Sequence, residues 1–133
     1  STDEGMGATH LLKTASSTTY TEEETSLDIV LAGSVDGDNS AYLYDIAIIA
    51  ISASGETKAW SGRFVCKHIN WQFRLVSAPT LTVTAGDPGT ETWNAAITES
   101  DPPVRITGAV NQVIHWFCAA QALRAYYVEE TQG

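Results

Sequence analysis

VRITGAVNQVIHWFCAA, residues 104–120, is the stretch on which the fold turns. Val104 and Ile106 alternate with Arg105 and Thr107, Gly108 interrupts, and Val113 to Ala120 resumes with β-branched and aromatic residues. Strand side chains alternate between two faces, so each run reads as a strand with one buried face, and the glycine between them as the turn of a hairpin. Two more such runs precede it, Leu81-Thr82-Val83-Thr84 and Trp93-Asn94-Ala95-Ala96-Ile97-Thr98. The segment between these, Ala85-Gly86-Asp87-Pro88-Gly89-Thr90, is rich in turn residues. The C-terminal half is therefore expected to be a series of short antiparallel strands.

Working outward, Ala41 to Ser54 (AYLYDIAIIAISAS) is the longest strand signal. Tyr42, Tyr44, Ile46, Ile48 and Ala50 fall on one face, and Leu43, Asp45, Ala47, Ile49 and Ile51 on the other. Both faces turn apolar from Ile46 on, so the second half is expected to be buried on both sides. A helix competes for this run, but its isoleucine density and flanking turns favour strand. Ser54-Gly55-Glu56-Thr57 reads as a hairpin turn, and Lys58 to Ile69 as the returning partner. Leu27 to Leu31 is a further strand candidate. Ile69 to Phe73 is a loop or short strand, and Ala125 to Val128 has strand character. A helical turn over Ala119 to Ala125 is the alternative there, because AAQALRA contains good helix formers.

The expected fold class is all-β: an antiparallel β-sandwich or β-barrel of about eight to ten short strands, with an extended N-terminal arm. Residues 1–25 are expected to be a polar extended arm or a poorly ordered tail, with a short strand around Thr18 to Thr21, and 26–133 a single all-β domain. The arm's sharper reading is a clamp on a neighbouring subunit. At 133 residues and 44% hydrophobic content the chain can bury one core. Ser1 fits the residue left by removal of an initiator Met, which implies a complete small protein, or a start chosen for expression. No charged-then-apolar leader pattern opens the sequence, and the longest wholly apolar run, Ile46 to Ile51, is far too short to cross a bilayer as a helix.

Seven Lys and Arg stand against 16 Asp and Glu, a formal net charge of -9. That balance argues against nucleic acid as a partner, since backbone binding needs a basic surface that releases counterions. Cys66 and Cys118 lie in apolar runs outside any C-x-x-C pair and read as buried small residues, with a disulfide left open if their strands are neighbours. His10, His68 and His115 have no ligand-spaced partners; the two on strands read as hydrogen-bonded structural residues. Asp36, Asp38 and Asn39 resemble the start of a calcium loop, but counting from Asp36 the sixth and twelfth positions hold Ala41 and Ala47, so an ordinary turn is favoured. No catalytic, metal or cofactor motif appears, and the expectation is neither an enzyme nor a cofactor protein. A small carbohydrate-active enzyme using two loop carboxylates is the third reading.

Four tryptophans invite sugar stacking. Trp60, Trp93 and Trp116 occupy alternating strand positions and read as core, whereas Trp71, between Asn70 and Gln72, reads as close to the surface. The candidate subunit or ligand contacts are Trp71, Phe73, Arg74, Tyr126 and Tyr127.

The order of signals resembles a small β-sandwich domain that recurs in virion proteins of tailed bacteriophages and prophages. The resemblance runs through Ile46 to Ile51, Gly55 with Trp60, Leu75-Val76 and Pro79-Thr80-Leu81-Thr82-Val83. It continues at Trp93, Val104-Arg105-Ile106-Thr107-Gly108 and Ile114-His115-Trp116, covering about three-fifths of the chain. The sequence departs from the pattern at Asp101-Pro102-Pro103 and in the N-terminal arm. What the resemblance implies is a non-enzymatic structural protein located in the virion and assembled in the host cytoplasm. The leading expectation is a homotrimeric capsid decoration (cement) protein. Its partners would be other copies of itself and the major capsid protein or another virion protein, with neither nucleic acid nor membrane. The alternative is a tail-fibre tip that recognises host glycans by stacking on Trp71 and nearby tyrosines.

Overall fold

The computed structural model describes residues 6–29, 31, 39–70, 72–100 and 102–127. Among these, nine strands form and no helix: β1 (Met6–Thr19), β2 (Glu24–Leu27), β3 (Ser40–Ser52), β4 (Thr57–Ile69), β5 (Gln72–Leu75), β6 (Thr82–Gly86), β7 (Asn94–Ile97), β8 (Val104–Thr107) and β9 (Ile114–Tyr127). All pairings are antiparallel. One sheet has six strands in the order β1-β9-β3-β4-β5, with β6 also on the free side of β4; the other has three, β2-β8-β7. The architecture is an antiparallel β-sandwich.

Its core lies between the layers. The alternation in β3 buries Tyr42, Tyr44, Ile46, Ile48 and Ala50, which meet Trp60, Phe64, Trp116 and Cys118 from neighbouring strands of the large sheet. The small sheet contributes Leu27, Ala95, Ile97, Val104 and Ile106. Trp60 stacks on Trp116 with ring centroids 5.4 Å apart, and Trp93 tilts against Trp116 at 6.3 Å. Trp60, Trp93 and Trp116 are thus the core residues their spacing indicates.

The decisive stretch folds differently from its expectation. β8 and β9 are not a hairpin: β8 lies in the small sheet between β2 and β7, whereas β9 lies in the large sheet between β1 and β3. The turn that joins them crosses from one layer to the other. Both runs bury one face, but they bury it against each other across the core, and alternation alone reads the same in either arrangement. The crossing is tight at Gly108, where an added Cβ would come 2.4 Å from Thr19 Oγ1 and 3.0 Å from the Thr21 carbonyl oxygen. Asn111 completes it with a positive φ of 59°.

Further expectations are corrected, and the helical alternative over residues 119–125 is set aside. The second half of β3 is buried on one side only: Ile49 and Ile51 remain 48% and 41% exposed because no layer of the described chain covers the outer face of the large sheet. Residues 119–125 are strand, with Ala120, Ala122 and Arg124 inward and Gln121 and Leu123 outward, so register pairing with β1 and β3 overrides helix propensity. The N-terminal residues are extended as expected, but from Met6 to Thr19 they are paired along the whole of β9, and the strand ends where a short one at Thr18 to Thr21 was expected to be under way. The strand candidate at Leu27 shifts earlier, to Glu24–Leu27, and the turn after β6 begins at Asp87, because Ala85 and Gly86 still pair with β4. The turn residues 32–38, including Asp36 and Asp38, lie outside the described residues.

Candidate functional site

Of the candidate contact residues, Phe73, Arg74 and Tyr126 lie at one end of the large sheet but do not share a surface. Tyr126, Ser40, His68 and Phe73 form one cross-strand row, which faces inward. Phe73 is half-buried there and packs against the core. Tyr126 is half-buried, with the Arg124 guanidinium 4.6 Å from its ring centroid. Arg74 points the opposite way, exposed on the outer face beside Lys67, and donates from Nη2 to Gln72 Oε1 at 2.9 Å. Trp71 and the side chain of Tyr127 lie outside the described residues.

The buried polar groups at the opposite end serve the fold. Lys58 enters the core edge, where its Nζ donates to the carbonyl oxygens of Thr90 (3.0 Å) and Trp93 (2.8 Å) and sits 5.4 Å from the Trp60 ring centroid. Asp87 and Thr57 exchange two hydrogen bonds, from Asp87 N to the Thr57 carbonyl at 2.9 Å and from Thr57 N to Asp87 Oδ2 at 3.0 Å. Together these tie the 87–93 loop to the start of β4. In the β3–β4 turn, the Glu56 carboxylate accepts from the Ser52 and Ser54 hydroxyls, which holds its pKa below the usual carboxylate range.

Cys66 and Cys118 are free, buried thiols. Cys66 pairs across with Tyr42 and Cys118 with Ile48, six residues apart along β3, so the two are not neighbours. Burial pushes each thiol from the ordinary 9.0 up to about 12, with Lys13 pulling Cys66 weakly the other way. His115 shares a 3.0 Å hydrogen bond with Thr18, through Nδ1 and Oγ1. Among the described residues no three His, Cys, Asp or Glu side chains come together as a metal site.

What sequence reasoning missed is the outer face of the large sheet. Leu12, Ile49, Ile51, Val65, Phe117 and Leu123 are exposed on it. In its middle, Arg63 holds Asp45 through two hydrogen bonds, Nε to Oδ1 at 2.8 Å and Nη2 to Oδ2 at 3.2 Å. That contact keeps the Asp45 carboxyl below its usual range. The face also carries Lys67 and Arg74. Asp45 is the only carboxylate in the strands of this sheet among the described residues, so an acidic protein turns a mildly cationic, apolar face outward. A depression of about 920 Å³ opens there, where Ala47, Ala59, Ser61 and Ala119 leave room beside Ile49 and Phe117. The signal was present in the two-sided apolar run from Ile46, which marks a strand needing cover on both sides.

The chain matches no family model, no curated protein and no solved structure. The class defined by the fold is an antiparallel β-sandwich with one apolar face that none of the described residues covers.

Proposed function

We propose that this protein is a non-enzymatic structural component of a tailed-bacteriophage virion, a decoration protein that sits on the capsid and holds neighbouring shell subunits together. The resemblance running from Tyr42 to Ala120 supplies the virion context. The observation that carries the assembly role is the rim strand β1. It runs for 14 residues from Met6 to Thr19, with no proline and no break in register, and among the described residues it pairs on one side only. Its other side presents a row of backbone donors and acceptors, guarded by the single charge of Lys13. Soluble proteins ordinarily blunt such an edge with prolines, bulges or several charges. An open edge fits a strand-addition contact with another protein.

The test is co-sedimentation with heads assembled without the protein. Binding at a fixed stoichiometry, with the heads staying closed to a higher temperature, is the expected result. Heads that neither retain the protein nor gain stability would sink the reading. Retention on host-surface glycans without head binding would move the protein to a tail-fibre tip.

A further inference from the structure

We infer that the outer face of the six-stranded sheet is where two copies of this chain pack together, face to face about a two-fold axis. Three observations point to a second copy as the occupant.

The first is size. Four strands of 13 or 14 residues, with β5 and β6 end to end along β4 as a fifth row, spaced about 4.8 Å apart and rising about 3.3 Å per residue, give a face of roughly 24 by 40 Å. That is close to the ~800 Å² per partner buried by a stable protein interface.

The second is charge. With a net charge of -9, two copies repel over most of their surface, whereas this face offers Arg63, Lys67 and Arg74 against Asp45 alone. Asp45 and Arg63 stand directly opposite each other on β3 and β4. A two-fold axis parallel to the strands and above the β3–β4 boundary sets β3 of one copy over β4 of the other. Asp45 then lies over the second copy's Arg63, and Arg63 over its Asp45, so the existing ion pair becomes a four-membered cluster. Self-complementarity of this kind is what a two-fold interface requires.

The third is shape. Under the same axis, bulky residues meet small ones. Ile49 pairs across the sheet with Ala59, so it comes to lie over the second copy's Ala59. Phe117, next to Ile49 on β9, comes over the β6 region around Ala85, which pairs with Ala59. The ridge formed by Ile49 and Phe117 thus enters the depression beside Ala59 and Thr84. Leu43, opposite Val65, meets the second copy's Val65 in the same way.

The pairing stands independently of the virion reading. Light scattering and native mass spectrometry of the purified protein test it, with circular dichroism and thermal melts as fold controls. The wild type is expected to be a dimer. Asp45→Arg alone and Arg63→Asp alone are each expected to weaken self-association at least tenfold, since each sets like charges together in its own homodimer. Mixed together they are expected to form a heterodimer, and the double variant with both changes in one chain to recover self-pairing. Phe117→Lys is expected to give a folded monomer. A wild type that stays monomeric at high concentration, a trimer, or a dimer that ignores all these substitutions would overturn the inference. Head binding by a monomer would overturn the pairing and leave the virion reading intact; a dimer that ignores heads would do the reverse.

Discussion

Tyr44 is fully buried between Tyr42 and Phe64, with ring centroids 5.8 and 5.5 Å away, yet its hydroxyl has no hydrogen-bond partner among the described residues. A buried hydroxyl left unsatisfied costs about 1–3 kcal/mol. Tyr44→Phe keeps the ring stack and removes that cost, so urea denaturation is expected to show a gain of about 1 kcal/mol. Trp116 is the opposite case. It touches Trp60 and Trp93, and its Nε1 donates to Thr19 Oγ1 at 2.9 Å. Trp116→Ala is expected to cost about 3–5 kcal/mol. The two thiols give a pH dependence. The unfolded chain ionises them near 9.0, while the folded one holds them neutral up to about 12. Above pH 9 the unfolded state binds fewer protons, so stability falls as pH rises through that window. Thermal melts should show a steeper alkaline loss in the wild type than in Cys118→Ala. At this scale the sequence was informative: tryptophans at alternating strand positions leave little choice but a core, and the cysteines inside apolar runs read the same way. Tyr44 was legible as buried but not as unsatisfied, because a missing partner is a property of three-dimensional neighbours.

The elements were legible where pattern is local. The β3–β4 hairpin follows from an apolar run, a Ser-Gly-Glu turn and a returning run of matching length, and its register pairs Ser40 with His68 through to Ile51 with Thr57. The relation of β8 to β9 was not legible. Six residues between two strands serve equally to turn within a sheet or to cross between layers; here the strand pairings show the crossing, which is crowded at Gly108. That crowding supplies a contrast. Gly108→Ala drives a methyl into Thr19 Oγ1, the acceptor for Trp116, and is expected to cost more than about 2 kcal/mol and to shift tryptophan fluorescence. Gly62→Ala meets the flexible end of Leu81, Cδ2 at 2.8 Å, which can turn away, so its cost in the same urea titration is expected to be smaller. Lys58 belongs to this scale too, since it fastens a loop rather than filling a core. Lys58→Ala removes a donor from both carbonyls, leaving Thr90 O with the Trp93 amide alone, and is expected to cost about 1–3 kcal/mol, with faster proteolysis in the 87–93 loop as the local readout.

For the whole molecule, an all-β fold, sandwich or barrel, followed from strand spacing and the scarcity of helical periodicity, and the two-sheet pairing decides for the sandwich. The exposed outer face did not, because apolar residues on both sides of a strand state that both sides are to be covered but not by what. In the pairing inferred above, the cover comes from a second copy, in a two-fold arrangement rather than the trimer that the resemblance implies. Mass action then makes stability depend on concentration: the melting temperature is expected to rise as the protein is concentrated and to become flat for Phe117→Lys.

The pairing of β1 with β9 sets a timetable for the molecule. Met6 lies opposite Tyr127 and Thr19 opposite Ile114, so β1 is synthesised ahead of every other described strand and has no partner until β9 emerges. All the strands between them must be synthesised before the large sheet can close, and contacts of such long sequence separation make folding slow. Until then β1 waits as a bare strand, and a chain interrupted before residue 114 never acquires its rim.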